Sequence, residues 1–327
     1  MLADHTGFAR HAAALVMITL VCDRSAQAQD NYPTRPLRII VGFLPGSSND
    51  LLARFVGNNL TERFGQQTVV DNRAGANGII GSSLAARATP DGHTLLLMSV
   101  SHTMSAAVYA KLPYDPVKSF TPVAMLGAGP LVIATHPSFP ANDIKVLIDL
   151  AKAKPYSLAY ASAGIGGINH FGGALFSRTV GVQMTHVPYK GGAPALADVM
   201  GGQVQIMWGT MPLTMTQIRS GKVKALAITS AKRSSLLPDV PAISEGAPGA
   251  EISTWWGLLA PAGIPARILT KLNEAIAGML RQPESAQRLS TEGAEPWLLS
   301  SSQFAGVIDK EIEKWTRVAR EANIRAE

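Results

Sequence analysis

Runs of aliphatic residues alternate with stretches of helical spacing along most of the chain. Leu37-Arg38-Ile39-Ile40-Val41 is a strand-forming run. Leu51, Leu52, Phe55, Val56, Leu60 and Phe64 then recur as one apolar face of a helix. Between them lies Phe43-Leu44-Pro45-Gly46-Ser47-Ser48-Asn49-Asp50, so the order is strand, tight glycine turn, helix. Ser47 or Ser48 can cap that helix, which places Asp50 in its first turn. The same alternation predicts a strand at 67–70, a glycine-rich loop at 72–78, a helix at 79–88 and a strand at 94–98. The last is apolar throughout, as suits a strand buried on both faces. Leu131 to Ala134 reads as a short strand bounded by Pro130 and Pro137. A second series follows: helix 143–153, strand 157–161, a helix carrying Phe171, Leu175 and Phe176, strand 184–187, helix 193–200, and strands 204–208 and 223–229. An extended run at 255–261 and helices at 265–281 and 303–320 close the chain.

Strands alternating with helices predict an α/β fold with mostly parallel sheets. Two similar blocks joined by extended segments near 128–134 and 250–258 predict two lobes with two crossing connections. The expected division is residues 29–130 plus 252–327 for one lobe and 131–251 for the other. Ligands of such sheets sit beyond the carboxyl ends of the strands, which singles out the loops at 43–50 and 99–103 and the cleft between lobes.

Composition narrows the class. The 327 residues carry 46% hydrophobic and 16% charged residues, enough for a sizeable core and against disorder. The net charge of +6 is spread without a dense basic run, so nucleic acid is not an expected partner. Residues 1–28 read as a signal peptide: Arg10 and His11 precede an apolar run from Ala12 to Cys22, and Ala26-Gln27-Ala28 offers the cleavage site. That run is too short to span a membrane. Cleavage after Ala28 removes Cys22, the one cysteine, so the mature chain is expected to be exported and free of disulfides.

The chemical motifs favour binding over catalysis. Tyr160-Ala161-Ser162-Ala163-Gly164 approaches a nucleophile elbow, but Tyr160 replaces the first glycine, and Asp198 follows His170 rather than preceding it. An exported hydrolase using Ser162 is the alternative this leaves. Gly164, Gly166 and Asn169 make a broken dinucleotide fingerprint, and seven histidines without an H-E-x-x-H or paired cysteines give no metal site. No catalytic residue, metal or cofactor is expected. Residues 162–170 instead form a second glycine-rich strand-to-helix turn, with Ser162, Gly164, Gly166 and Gly167 offering N–H groups and a hydroxyl. Such turns suit a carboxylate. His170 reads either as a packed histidine or as a ligand contact. Tyr189 and Lys190 read as turn or site, and Trp208 as cleft wall or core.

Several segments together resemble the tripartite tricarboxylate transporter substrate-binding proteins, the Bug family. They are Tyr32-Pro33-x-Arg35-Pro36, Val41-x-Phe43-x-Pro45-Gly46 with Asp50, Asn72-Arg73-x-Gly75-Ala76, Pro90-Asp91-Gly92-x-Thr94-Leu95, Leu112-Pro113-Tyr114-Asp115-Pro116, His186-Val187-Pro188-Tyr189-Lys190-Gly191, Leu237-Pro238-Asp239-Val240-Pro241 and Ala260-Pro261-Ala262-Gly263-x-Pro265. The resemblance runs from Tyr32 to about Trp315. It implies a periplasmic, monomeric, two-lobed binding protein that closes on a small organic acid (a mono-, di- or tricarboxylate or an amino acid) and delivers it to membrane permease subunits. A ligand sensor for a signalling partner is the other non-enzymatic reading. The binding loops it implies fall on 43–50, 99–103 with Ser101 and His102, 162–170 and 189–191. Ser47 stands where the family usually has a second glycine, and His102 is expected to tune the distal end.

Overall fold

The computed structural model describes residues 32–326; the expected leader, Cys22 and the cleavage site lie outside the described residues. The first βα unit forms as the pattern implies. β1 (Leu37–Val41) leads into α1 (Ser48–Phe64), which Ser47 caps: its Oγ accepts from the Asp50 N–H at 3.3 Å. Gly65, with φ +69°, ends α1 in the left-handed conformation that glycine adopts without strain.

In chain order there follow β2 (Thr68–Asn72), α2 (Ile79–Ala86), β3 (Thr94–Ser99), α3 (Ser101–Val108), β4 (Phe120–Thr135), α4 (Ile144–Ala153), β5 (Ala159–Ser162), α5 (Ile168–Val180), β6 (Thr185–Pro188) and α6 (Gly192–Met200). The chain continues through β7 (Ile206–Thr210), α7 (Met211–Arg219), β8 (Lys224–Ile228), β9 (Ser253–Pro261), α8 (Ala266–Leu280), α9 (Pro283–Thr291), β10 (Glu295–Pro296) and α10 (Ser301–Glu321).

The strand order is β2-β1-β3-β9-β4-β7-β5-β6, with β8 and β10 also on β4. β2, β1 and β3 pair in parallel, as do β6, β5 and β7. The antiparallel pairs all involve β4 or β9, the strands that pass between the blocks. β4 is much longer than the run 131–134 implies. Residues 120–130 pair with β9 and residues 131–135 with β7 and β8, so partners change at Pro130–Leu131. Pro122 and Pro130 both lie within it, and the β9 register shifts just after Pro122. Thr229 stitches the two crossing segments together. Its N–H donates to Leu131 O at 2.9 Å, its hydroxyl to Ile252 O at 2.6 Å, and its Oγ1 accepts from the Leu131 N–H at 2.8 Å.

A third tie was not foreseen. α10 packs on α3 and β4 and, at its far end, on α5. There Trp315 meets Phe171 edge-on at 5.3 Å between ring centres, and Arg178 pairs with Glu321. Both rings are fully buried, so one apolar core runs beneath both parallel blocks. The segment 99–103, read as a loop, already contains the first turn of α3, and α7 and α9 are helices the pattern did not show.

Candidate functional site

A cavity of about 680 Å³ lies between the two parallel blocks at the carboxyl ends of their strands. Five helices begin on its wall. α1 contributes Ser47, Ser48 and Asn49; α3 Val100 and Ser101; α5 Gly164 to Asn169; α6 Gly192; and α7 its preceding residue Thr210. Each start leaves unpaired N–H groups and carries about half a positive charge from the helix dipole. Phe43, Met104, Tyr109, Leu213 and Trp256 supply apolar and aromatic wall, and Asn77, Ser99 and Thr254 supply amide and hydroxyl groups. Among the described residues lining it, none is charged.

Of the residues expected at the site, Phe43, Ser47, Ser48, Ser101, Gly164, Gly166 and Gly167 line this cavity. The others lie elsewhere, each for a physical reason. Leu44 projects from the first loop, 71% exposed. Asp50 is buried behind that loop, where its carboxylate accepts from the Gly46 N–H at 2.9 Å and pairs with Arg54 at 3.0 Å. Burial alone raises the Asp50 carboxyl, but Arg54 and the Gly46 amide outweigh it and hold it below the usual range. Gly46 turns the loop at φ +80°, with open space where a Cβ would be. Gly46→Val is therefore expected to lose about 1–2 kcal/mol to backbone strain rather than to a filled pocket, which urea unfolding will measure.

His102 is wholly buried, its Nε2 2.8 Å from Pro116 O and its ring between Tyr114 and Phe120. It braces the turn at 112–116 rather than reaching the cavity. Trp208 is core, packed against Tyr160 and Phe176. Tyr189 donates to Asp198 Oδ2 at 2.6 Å, and burial together with that carboxylate raises its phenol to about 12. Asp198 is thus the partner of this turn's phenol, and Lys190 is exposed. Ser162 is fully buried, its Oγ 2.7 Å from His186 Nε2 and accepting from the Gly164 N–H at 3.1 Å. His170 lines a different cavity.

Asn49, Ser99 and Asn169 also line it, within loops the sequence singles out though not named there individually; Asn77, Tyr109, Thr210, Thr254 and Trp256 were missed. Ser99 and Thr210 end strands, a position that the carboxyl-end rule itself marks. Tyr109 and Trp256 carry no local signal.

The family model for the tripartite tricarboxylate transporter family receptor matches residues 52–324. The chain belongs to this receptor family. The protein BugT of Bordetella pertussis is 37% identical over 299 residues, covering 90% of this chain and 92% of BugT. Among solved structures, an R. palustris protein with adipate is 34% identical with a TM-score of 0.79, covering 90% of this chain and 99% of that one. MatC from Rhodopseudomonas palustris, with bound malate, is 33% identical with a TM-score of 0.75, covering 88% and 99%. As a member of this family the chain has the two-lobed fold of periplasmic binding proteins. Among the described residues no helix is long and apolar enough to cross a membrane.

Proposed function

We propose that this protein is a periplasmic receptor that captures a small organic carboxylate in the inter-lobe cavity and hands it to the permease subunits of a tripartite tricarboxylate-type transporter. The convergence of five helix starts on an uncharged cavity carries the reading. Unpaired N–H groups and aligned dipoles stabilise an anion without a buried cation to desolvate. The acids bound in the two Rhodopseudomonas structures are of the same chemical kind. On this reading the lobes are 29–130 with 252–327, and 131–251, hinged where β4 changes partners and where the chain returns at Ile252–Ser253. Ligand bridging the two sets of helix starts favours the closed arrangement.

Delivery rather than turnover is the expected fate of the ligand. Ser162 does not line the cavity, and among the described residues His186 has no carboxylate partner to make it a base. Burial also holds the His186 imidazole down at about 4, too weak to deprotonate a serine near neutrality. A thermal-shift panel of mono-, di- and tricarboxylates and amino acids tests the proposal. The cognate acid at a hundred times its Kd is expected to add about 2.7 kcal/mol of stability, with no ester hydrolysis. Turnover abolished by Ser162→Ala would reverse the assignment.

A further inference from the structure

Behind the second glycine turn lies a separate cavity of about 570 Å³ that shares no lining residue with the first. His170, from α5, and His186, from β6, stack there with ring centres 3.6 Å apart and planes within 9°. Each reaches back into the turn at 162–167. His170 Nδ1 accepts from the Gly166 N–H at 3.3 Å. His186 Nε2 lies 2.7 Å from Ser162 Oγ, which in turn accepts from the Gly164 N–H at 3.1 Å. Gly164 and Gly166 line the ligand cavity and adopt φ of +140° and +74°. Two glycines in such conformations hold one loop shape only if something outside the loop fixes them.

We infer that His170 and His186 are a positioning pair: from outside the ligand cavity they hold the backbone of Gly164 and Gly166, directly and through Ser162, and so fix the shape of the turn that lines it. The inference rests on the receptor reading above only for the consequence to ligand binding. A shared metal ion is not the purpose of the stack. Parallel rings 3.6 Å apart aim their lone pairs side by side, whereas one ion needs them to converge at about 2.0 Å.

The device requires neutral imidazoles. A proton on His170 Nδ1 would meet the Gly166 N–H, and two imidazolium rings in face contact would repel. The environment supplies neutrality. Burial, with His186 adding to it, holds His170 down at about 3. The groups facing the pair are Tyr156 from the loop before β5, Tyr160 from β5, Arg178 from α5 and Glu321 from α10. Arg178 and Glu321 pair with each other, so no free carboxylate is left to stabilise a protonated ring. Because the folded-state values lie below the ordinary 6.5, the pair's contribution is complete above pH 6.5 and is lost as pH falls toward 4.

Amide exchange of the full mature chain without ligand tests the positioning directly. His170→Phe keeps a ring in the stack but removes the acceptor, and is expected to speed exchange at Gly166 at least ten-fold while β5 and β6 stay protected. His170→Asn, whose Oδ1 can stand in for Nδ1, is expected to restore protection. Should His170→Phe unfold the protein, His186→Gln against His186→Leu asks the same question at Gly164. Equal Gly166 exchange in wild type and His170→Phe overturns the inference. In a second arm, malate and adipate serve as probes. If either binds wild type, its Kd is expected to rise at least five-fold in His170→Phe and to return in His170→Asn; an unchanged Kd also overturns it. If neither binds, the exchange arm alone decides the role of the pair, and the receptor reading is judged by the wider panel of acids.

Discussion

Trp315→Ala is expected to lower the unfolding free energy by about 3–5 kcal/mol. The indole is fully buried where α10 meets Phe171 of α5, so truncation leaves a cavity walled by both blocks. Domains are stable by only about 5–15 kcal/mol, so a loss of this size removes a large share. Denaturant unfolding will show the midpoint move with two probes, because tryptophan emission is itself altered. A second consequence separates this site from an ordinary core position. α10 spans the two blocks, and weakening its far end is expected to uncouple them, so that the transition broadens or splits. A loss under about 1 kcal/mol with a single sharp transition would mean that α10 is a passenger. Phe171→Leu, which keeps most of the volume, is the control and should cost far less.

This apolar tie also bears on the closure proposed for the cleft. A hinge made only of β4 and the return at Ile252–Ser253 would leave the lobes free to swing, as lobes with small polar contacts do. Here the core continues from Trp255 and Phe304 through Trp315 to Phe171. Glu311 adds a polar pin, accepting from Trp255 Nε1 at 2.7 Å and from Thr103 Oγ1 at 3.1 Å. Closure of the kind proposed above is therefore expected to keep α10 packed.

Much of the fold was readable because its signals are local. Apolar spacing and a serine cap mark α1. The carboxyl-end rule marks the loops at 43–50 and 99–103, and glycine spacing marks the turn at 162–170. What failed was where context overrides residue type. His102 and Trp208 look functional and are packed. Ser101 opens a helix whose eight residues are too few to declare a period and whose preceding Val100 makes no cap bond. Residues 120–130 form a strand although two prolines interrupt them, because β9 supplies the pairing. His186 and Ser162 are 24 positions apart and meet only because β5 and β6 run side by side in parallel register. No local pattern announces such a contact.

A carboxylate built into the wall should compete with the ligand's own, and Gly167→Asp supplies one. Gly167 is the residue before α5, extended at φ −79°, and its added Cβ would meet only Gly164 O at 3.4 Å. An aspartate there suits a helix start, so the fold should hold or gain a few tenths of a kcal/mol. The ligand should not survive as well. Two unit negative charges about 5 Å apart at an effective dielectric constant near 20 repel by about 3 kcal/mol, roughly 100-fold in Kd. Gly167→Asn gives nearly the same shape without the charge and is expected to bind almost as wild type does. The comparison is made by calorimetry with whichever acid gives the largest thermal shift. If aspartate and asparagine variants bind alike, the anion does not rest on the start of α5. The positive ends gathered around the cavity would then be a feature of the fold rather than the means of recognition.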